Sequence, residues 1–330
     1  MNIPHTIILS RPDALGDAVV TLSTAGWIKH QAPRTRIIAL VKEYTRPVWA
    51  QCDHVDAIIT LEELRAGDAV EQLRSLKADA IVHMFPHRAV AVWAKRAGIE
   101  RRVGTSHRWW HWNTCNERVD FSRKRSDLHE AQLNLKLLAP FGIDIPALPE
   151  LTKHIALRRP KMPPEIAALL ASDRKRVVLH PLLGSGVGWG LHNFSALIKA
   201  LDPQRWQVIL TGTAEEAHRY RAELPMELPH VTDLGGRLAL DPLMAVIGSS
   251  DALVAASTGP LHIAAALGIR AIGLYSMRRP ILPARWAPLG RDAHALVNDP
   301  ACVDCAAGKL CDCITRIDPR RVRALLEELP

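Results

Sequence analysis

Residues 6–30 read TIILSRPDALGDAVVTLSTAGWIKH, and this stretch decides the fold. The apolar run over 6–10 predicts a buried strand, the glycine-containing segment 11–17 a turn, and the pattern over 18–30 a helix. A second apolar and β-branched run over 36–42 predicts the next strand. The chain therefore opens with a β-α-β unit of the kind that builds parallel sheets.

The same alternation continues along the chain. Further strands are predicted at 57–60, 80–83, 176–180, 207–211, 252–256 and 271–275, and helices at 62–76, 89–97, 193–201, 214–223, 242–247 and 259–267. The proline-rich stretch 146–164 is the best linker candidate. We therefore predict two Rossmann-like α/β domains, residues 1–155 and 156–330, that face an interdomain cleft, with the final helix a candidate to pack back on the N-terminal domain.

The composition suits two hydrophobic cores and an anionic partner. The chain has 330 residues, of which 48% are hydrophobic, and a formal net charge of +8. The charge fits a nucleotide, a phosphorylated glycolipid, a membrane face or a nucleic acid. The first apolar run is too short for a signal peptide, and no run approaches the roughly 20 residues of a spanning helix. We expect a cytoplasmic protein whose membrane contact, if any, is peripheral.

Gly16 and Asp17 follow the first predicted strand. In open α/β sheets the ligand-contacting groups lie at the carboxyl ends of the strands. Asp17 is a candidate general base for an acceptor hydroxyl, since a cleft between apolar domains can raise the pKa of a carboxylate. The alternative is that Asp17 caps the following helix. The residues alone leave both interpretations open.

A glycine-rich stretch, HPLLGSGVGWGLHNF over 180–194, follows the first strand of the second half. Backbone N–H groups at Gly184, Ser185 and Gly186 are candidates to contact a phosphate, because glycine permits close approach and the next helix presents its positive end. The pattern is neither a Walker A loop nor a dinucleotide fingerprint. Simple turn glycines are the alternative.

The segment ASTGPLHIAAALG, 256–268, provides a second candidate phosphate-binding site. Ser257, Thr258, Gly259 and Pro260 lead into a predicted helix, whose start suits a diphosphate. His262 lies one turn further on. It is a candidate ligand contact, although a packed core histidine is the interpretation that the residues alone favour.

Two weaker candidates complete the set. Thr211 and Gly212 end a strand before Glu216, which is a candidate ligand contact or, alternatively, a first-turn acid favoured by the helix dipole. The basic and tryptophan-rich stretch 95–125 contains Arg101, Arg102 and Arg108, candidates for binding an anionic glycolipid acceptor. A solvated basic face is the alternative there, and no nucleic-acid-binding module matches.

Three of these segments, together with a fourth at 129–135, occur in an order that resembles glycosyltransferase family 9, the ADP-heptose:lipopolysaccharide heptosyltransferases. They are LGD at 15–17, HEAQLNL at 129–135, the glycine loop that ends in Trp189, and TGPLHIAAALG at 258–268. The resemblance covers nearly the whole chain. It implies a GT-B fold, and Asp17 as the catalytic base of an inverting transfer.

The resemblance also implies the reactants. The donor is a nucleotide sugar such as ADP-heptose, and the acceptor is a lipopolysaccharide-core or related glycan on the cytoplasmic face of the inner membrane, contacted peripherally. No metal or other cofactor and no nucleic acid is expected. Backbone N–H groups and helix ends of the second domain would neutralise the departing diphosphate. The resemblance also implies that Thr211, Gly212 and Glu216 contact the donor, with Glu216 a candidate hydrogen-bond partner of its ribose.

Two departures from the family pattern fall on the donor side. Ser257 stands where the family has an aspartate, and Val187 where it commonly has a lysine. Either another cation, Lys199 or Arg237, replaces the lysine, or the donor or the activity differs. The alternative function is therefore a non-catalytic or altered-specificity relative that binds a sugar nucleotide or glycan.

Four of the six cysteines lie close together near the C-terminus, at Cys302, Cys305, Cys311 and Cys313. A C-x2-C-x5-C-x-C spacing can hold zinc or an iron–sulfur cluster. However, the C-x-C pair is tighter than a usual metal knuckle, and similar sequences carry cysteines here without being metalloenzymes. We therefore expect free thiols and no metal.

Overall fold

The computed structural model describes residues 2–124, 126–183, 188–309 and 311–330. The chain divides into two compact units, Met1–Arg158 and Arg159–Pro330. The division falls inside the proline-rich stretch 146–164, where a short helix and an isolated bridge between Cys52 and Leu157 also lie.

The first unit is built on a parallel sheet. In its described residues the sheet has six strands in the order β3-β2-β1-β4-β5-β6. Their bounds are β1 Thr6–Ser10, β2 Arg36–Val41, β3 Ala57–Thr60, β4 Ala80–His83, β5 Arg101–Thr105 and β6 Glu117–Val119. The bounds of the helices are α1 Leu15–Gln31, α2 Arg46–Ala50, α3 Leu61–Ala66, α4 Ala69–Ser75, α5 Arg88–Arg96, α6 Trp109–Thr114, α7 Glu130–Lys136 and α8 Leu148–Thr152.

Most helix bounds shift by a few residues from the predicted ones, and two of the differences change how the chain is organised. α1 begins at Leu15, so that Gly16 and Asp17 lie in its first turn and not in the preceding loop. The single helix predicted over 62–76 is divided into α3 and α4. The division has a local cause, because the Asp68 carboxylate accepts the N–H groups of Val70 and Glu71 and so caps a new helix.

The second unit repeats the plan. Its described residues form a parallel six-stranded sheet in the order β12-β11-β10-β7-β8-β9. The strands are β7 Lys175–His180, β8 Trp206–Leu210, β9 Val231–Asp233, β10 Ala252–Ala256, β11 Arg270–Tyr275 and β12 Ala293–Val297. The helices are α9 Pro164–Leu169, α10 Leu191–Ala200, α11 Ala214–Tyr220, α12 Leu240–Gly248, α13 Gly259–Ala266, α14 Pro283–Trp286, α15 Val303–Ala306 and α16 Pro319–Glu327.

The final helix, α16, belongs to the core of the second unit. Val322 and Leu326 are fully buried in the cluster that contains Leu197 of α10. This placement replaces the alternative in which the final helix packs back on the first domain, because its apolar face is buried here.

Counted within its own unit, each sheet has the order 3-2-1-4-5-6 of a doubly wound α/β fold. The connections reverse direction between the first and fourth strands, which are β1 and β4 in one unit and β7 and β10 in the other. Ligands of such sheets bind at this reversal, beyond the carboxyl ends of the strands. No helix formed by the described residues has both the length and the hydropathy to cross a membrane.

Candidate active site

Arg11 organises the carboxyl edge of the first sheet. It directly follows β1, its side chain is 2% exposed, and its backbone N–H donates to the Leu40 carbonyl of β2 at 2.8 Å. The guanidinium donates to the Met84 carbonyl, just after β4, at 3.0 Å. Its Nε lies 3.0 Å from the Asp13 carboxylate, and a terminal nitrogen pairs with Asp17.

The Asp17 carboxylate does not cap α1. The N-cap position is Ala14, and no side chain accepts a capping hydrogen bond there. The carboxylate pairs with Arg11 instead and remains 23% exposed. The structure therefore rules out the capping alternative, and the Asp17 side chain stays partly exposed in the first turn of α1, beyond the carboxyl end of β1.

Helix α7 contributes further residues to this cluster. The Glu130 carboxylate lies 3.5 Å from Arg11 and also pairs with Arg123. The Asn134 oxygen accepts a hydrogen bond from Arg123 at 3.0 Å, and its amide donates to the Thr21 hydroxyl of α1 at 3.1 Å. The HEAQLNL segment thus fixes the guanidinium groups that orient Asp17.

Burial and charge set the protonation of this cluster. Desolvation raises the pKa of Asp13 to about 7 against the opposing effect of Arg11, and burial likewise raises the pKa of Asp17. The five groups Arg11, Asp13, Asp17, Arg123 and Glu130 carry two positive and three negative charges when all are ionised. One proton taken up by Asp13 or Asp17 makes the group neutral, so this edge of the sheet is suited to accept a proton, as a general base must.

The carboxyl edge of the second sheet has the opposite chemistry. Thr258 is the N-cap residue of α13, but its side chain makes no capping bond, and its buried hydroxyl oxygen has no hydrogen-bond partner among the described residues. Gly259 and Pro260 form the first turn, where backbone N–H groups lack intrahelical partners. Ser257 hydrogen-bonds to the Tyr275 hydroxyl. This helix start is suited to an anion.

His262 packs inside the second unit. It is 3% exposed, and its ring meets the Trp286 ring at a centroid distance of 6.2 Å. The placement fits the core-histidine interpretation better than direct ligand contact.

The loops after β8 and β9 adjoin each other at the same edge. Thr211 is buried, with its hydroxyl 3.0 Å from Nδ1 of His180, and Gly212 accepts the Gly236 N–H at 2.9 Å. The Glu216 carboxylate accepts the Thr213 N–H at 2.7 Å in a capping box. Glu216 therefore serves helix α11 in this structure, and its contact with a ribose remains a prediction.

The glycine-rich stretch 184–189 ends at a buried tryptophan. Gly184, Ser185, Gly186 and Val187 lie outside the described residues, and their phosphate role remains a prediction. Trp189 is fully buried, and its indole N–H donates to the Ile317 carbonyl at 2.8 Å. The tryptophan thus holds the end of the loop in place.

Of the two cations named as replacements for the family lysine, only one is suitably placed. Lys199 is exposed in the last turn of α10, at the amino edge of the sheet, because the helix runs away from the carboxyl end of β7. Its proposed role at the diphosphate was wrong. Arg237 is exposed and follows Gly236 at the carboxyl edge. Arg278 and Arg285, which the sequence pattern does not single out, also follow β11, and Arg285 lies within α14.

The three arginines predicted to bind the acceptor lie at different edges of the first sheet. Arg101 pairs with Glu117 at 2.6 Å, and Arg102 donates to the Thr114 carbonyl at 2.8 Å. Both begin β5, so they lie at the amino edge, opposite Asp17, and this placement does not favour acceptor binding. Arg108 follows β5 at the carboxyl edge, beside the 63% exposed Trp109.

Two doubly wound units, with acids beyond one sheet and a helix start suited to phosphate beyond the other, define a two-domain α/β protein of the GT-B class. The chain belongs to glycosyltransferase family 9 (heptosyltransferase), whose model matches residues 68–311. Membership confirms the family resemblance, and it assigns the chain to the transferases.

Similar proteins agree with this assignment. A Haemophilus influenzae protein that carries only a provisional description as a glycosyltransferase is 28% identical over 323 residues, 89% of each chain. Lipopolysaccharide heptosyltransferase 3 of Escherichia coli is 23% identical and covers 82% of this chain and 84% of its own. The structure of the E. coli ADP-heptose lipopolysaccharide heptosyltransferase II aligns with a TM-score of 0.74 over 98% of each chain at 20% identity, which confirms the GT-B fold.

Proposed function

We propose that the protein is an inverting glycosyltransferase that moves a heptose-like sugar from a nucleoside diphosphate donor to a hydroxyl of a lipopolysaccharide-core or related glycan. The observation that carries the proposal is the Asp17 carboxylate, partly exposed in the first turn of α1 beyond the end of β1 and held by Arg11 within a cluster of excess negative charge. The descriptions of the E. coli relatives favour ADP-heptose as the donor and lipopolysaccharide as the acceptor.

In the proposed reaction the acceptor oxygen attacks the anomeric carbon opposite the diphosphate. The new C–O bond forms as the bond to the diphosphate oxygen breaks, and Asp17 takes the hydroxyl proton. The configuration inverts because there is one displacement. The N–H groups at the start of α13, with Arg237, stabilise the negative charge that develops on the leaving group. These groups belong to the chain, so the proposed chemistry needs no metal ion at the reacting atoms.

The acceptor is proposed to bind near Trp109. This exposed ring stacks under the guanidinium of Arg88, whose carbon lies 4.8 Å from the ring centroid, at the carboxyl ends of β4 and β5. Arg108 precedes it. An aromatic face beside guanidinium groups suits a sugar ring that carries phosphate. The cytoplasmic location and the peripheral membrane contact belong to this proposal.

The test is Asp17→Asn, which preserves shape and removes the base. We expect the release of ADP from ADP-heptose, with lipopolysaccharide core as acceptor, to slow by about 10²–10⁴-fold. The affinity for ADP, measured by calorimetry, should stay unchanged, because the donor groups belong to the second unit. Asp53→Asn is the matched control, since Asp53 forms a surface ion pair with Arg158 before β3, at the amino edge.

Undiminished turnover of Asp17→Asn would reject Asp17 as the base. One observation favours the alternative of altered specificity: Ser257, in place of the family aspartate, bonds to Tyr275. Calorimetry with ADP, UDP and GDP sugars addresses it. Tight binding of a sugar nucleotide by the wild-type protein without product on any glycan acceptor would favour the non-catalytic relative.

A further inference from the structure

Four thiols that are dispersed over residues 302–313 converge in the second unit. The sulfur atoms of Cys302, Cys305, Cys311 and Cys313 all lie within 4.8 Å of one another. The Cys305 and Cys311 sulfurs are 3.0 Å apart, and those of Cys302 and Cys311 are 4.0 Å apart. All four are free, and Cys305 and Cys313 are buried.

The local backbone explains the convergence. Cys302 is the N-cap residue of the short helix α15, and Cys305 lies one turn further on, so both sulfurs face the same side. The chain then returns, and the Cys313 N–H donates to the Cys311 sulfur at 3.5 Å. Such N–H···S bonds stabilise sulfur in its charged, metal-binding form. The tight C-x-C spacing is thus no obstacle to a shared site.

We propose that these four cysteines bind one tetrahedral transition-metal ion, of the class that contains zinc and mononuclear iron. A zinc ion lies about 2.3 Å from each thiolate, so a tetrahedron around it places the sulfurs about 3.8 Å apart. The observed separations of 3.0 and 4.0 Å lie on either side of that value. A multinuclear iron–sulfur cluster requires a wider arrangement, because several metal ions separate its cysteines.

The ion would have a structural role at the donor edge. The Cys305 sulfur accepts a backbone hydrogen bond from Met277, which follows β11. Cys313 is followed by Ile314 and Ile317, both buried in the core, and the Ile317 carbonyl holds Trp189. The ion would therefore join the segment after β11 to the segment that anchors the end of the glycine loop. Only the link between this ion and donor binding rests on the proposed function.

Metal analysis of the full chain tests the proposal directly. The protein is purified under anaerobic conditions without a metal-affinity tag, from cells supplied with both zinc and iron, and its metals are measured by plasma mass spectrometry. We expect about one equivalent of zinc or iron per chain. Iron would add thiolate-to-metal absorption in the visible range, and zinc would add none.

Three results would overturn the proposal. They are metal far below one equivalent, several irons with acid-labile sulfide, and disulfide bonds among the four cysteines in protein alkylated at lysis. None of these measurements uses a sugar donor or acceptor, so failure here is distinguishable from failure of the proposed transferase activity.

The variants Cys305→Ser and Cys311→Ser should lose the ion. Cys115→Ser, which alters a buried thiol of the first unit, is the matched control and should retain it. Titrating the wild-type thiols with a mercurial reagent gives an independent readout where a variant fails to fold. The ion should be released as the four sulfurs react, and a release that does not follow thiol modification would contradict the site.

Discussion

The carboxyl edges of the two sheets have the same strand order and opposite chemistry. Beyond β1 and β4, Arg11 is surrounded by the carboxylates of Asp13, Asp17 and Glu130, so the charged groups bond to one another. Beyond β7 and β10, the α13 helix start has no side-chain cap, and the Thr258 hydroxyl oxygen is buried without a described partner. At one edge the charged groups pair with one another while Asp17 stays partly exposed, and the other edge is open to an anion.

The comparison separates what the fold determines from what the side chains determine. A doubly wound sheet determines where a ligand binds, because the connections diverge at one point of the sheet. The residues that follow the strands then decide whether that place accepts a proton or an anion. Substitutions at each edge therefore test whether the first unit accepts the proton and the second unit binds the anion.

The largest effect is expected from Arg11→Met. Loss of this buried guanidinium leaves three carboxylates with reduced compensation, and breaking a buried ion pair costs about 3–5 kcal/mol. The pKa values of Asp13 and Asp17 would then lie further above their unfolded values, so the variant should regain stability as the pH falls and lose it as the pH rises. Urea unfolding at several pH values measures this.

Arg74→Met provides the comparison for that experiment, because Arg74 pairs with Glu71 on the surface. Its cost should be about 0–1 kcal/mol and nearly independent of pH. Equal costs for the two substitutions would mean that the Arg11 cluster is not the stabilising centre of the first edge.

Asp13→Asn should change how stability depends on pH. The pKa of Asp13 is raised to about 7 by burial, above the unfolded value of about 3.9. Its contribution to stability is therefore fully present below the unfolded pKa and is lost as the pH rises through the folded pKa. Between pH 5 and 7 the wild-type protein should lose on the order of 2 kcal/mol relative to the variant. Parallel unfolding curves for the two proteins would show that Arg11 keeps Asp13 ionised.

The same change, from threonine to valine, should have different effects at the two edges. Thr21→Val removes a hydroxyl that donates to the Asp17 carbonyl at 2.7 Å and accepts from Asn134, so it should cost about 1–2 kcal/mol of unfolding free energy. Thr258→Val removes a hydroxyl without a described protein partner. It should leave stability unchanged or slightly higher and weaken ADP binding about ten-fold. Destabilisation by Thr258→Val would mean that the hydroxyl serves the fold and not a ligand.

The sequence predicted the central strands because they are continuous apolar runs. It missed β5 and β6, since β5 begins with Arg101 and Arg102 and β6 has three residues. It likewise missed the short β9 and the moderately apolar β12. Strand order follows from pairings between distant residues, which no local pattern encodes.

The residues of the site were likewise predictable from local sequence only where they follow a strand, and not where distant residues come together. Asp17 was identifiable because it follows the first strand. Its neighbour Glu130 lies more than a hundred residues away in sequence, and only the folded chain brings it to Arg11. Lys199 was selected for its charge, but the direction of α10 carries it to the wrong edge of the sheet. Convergence of the cysteines depends on a chain reversal that the spacing does not reveal.

The smallest expected effect distinguishes two cations of the second unit. Arg237→Met removes an exposed charge at the carboxyl edge, near Gly212, and should weaken ADP binding by about three- to ten-fold, with the loss reduced at high salt. Lys199→Met removes the same charge at the amino edge and should leave the affinity unchanged. Net charge falls equally in both variants, so a difference between them in calorimetry reports position alone. Equal weakening would mean that the general positive charge of the chain, and not the open edge, attracts the diphosphate.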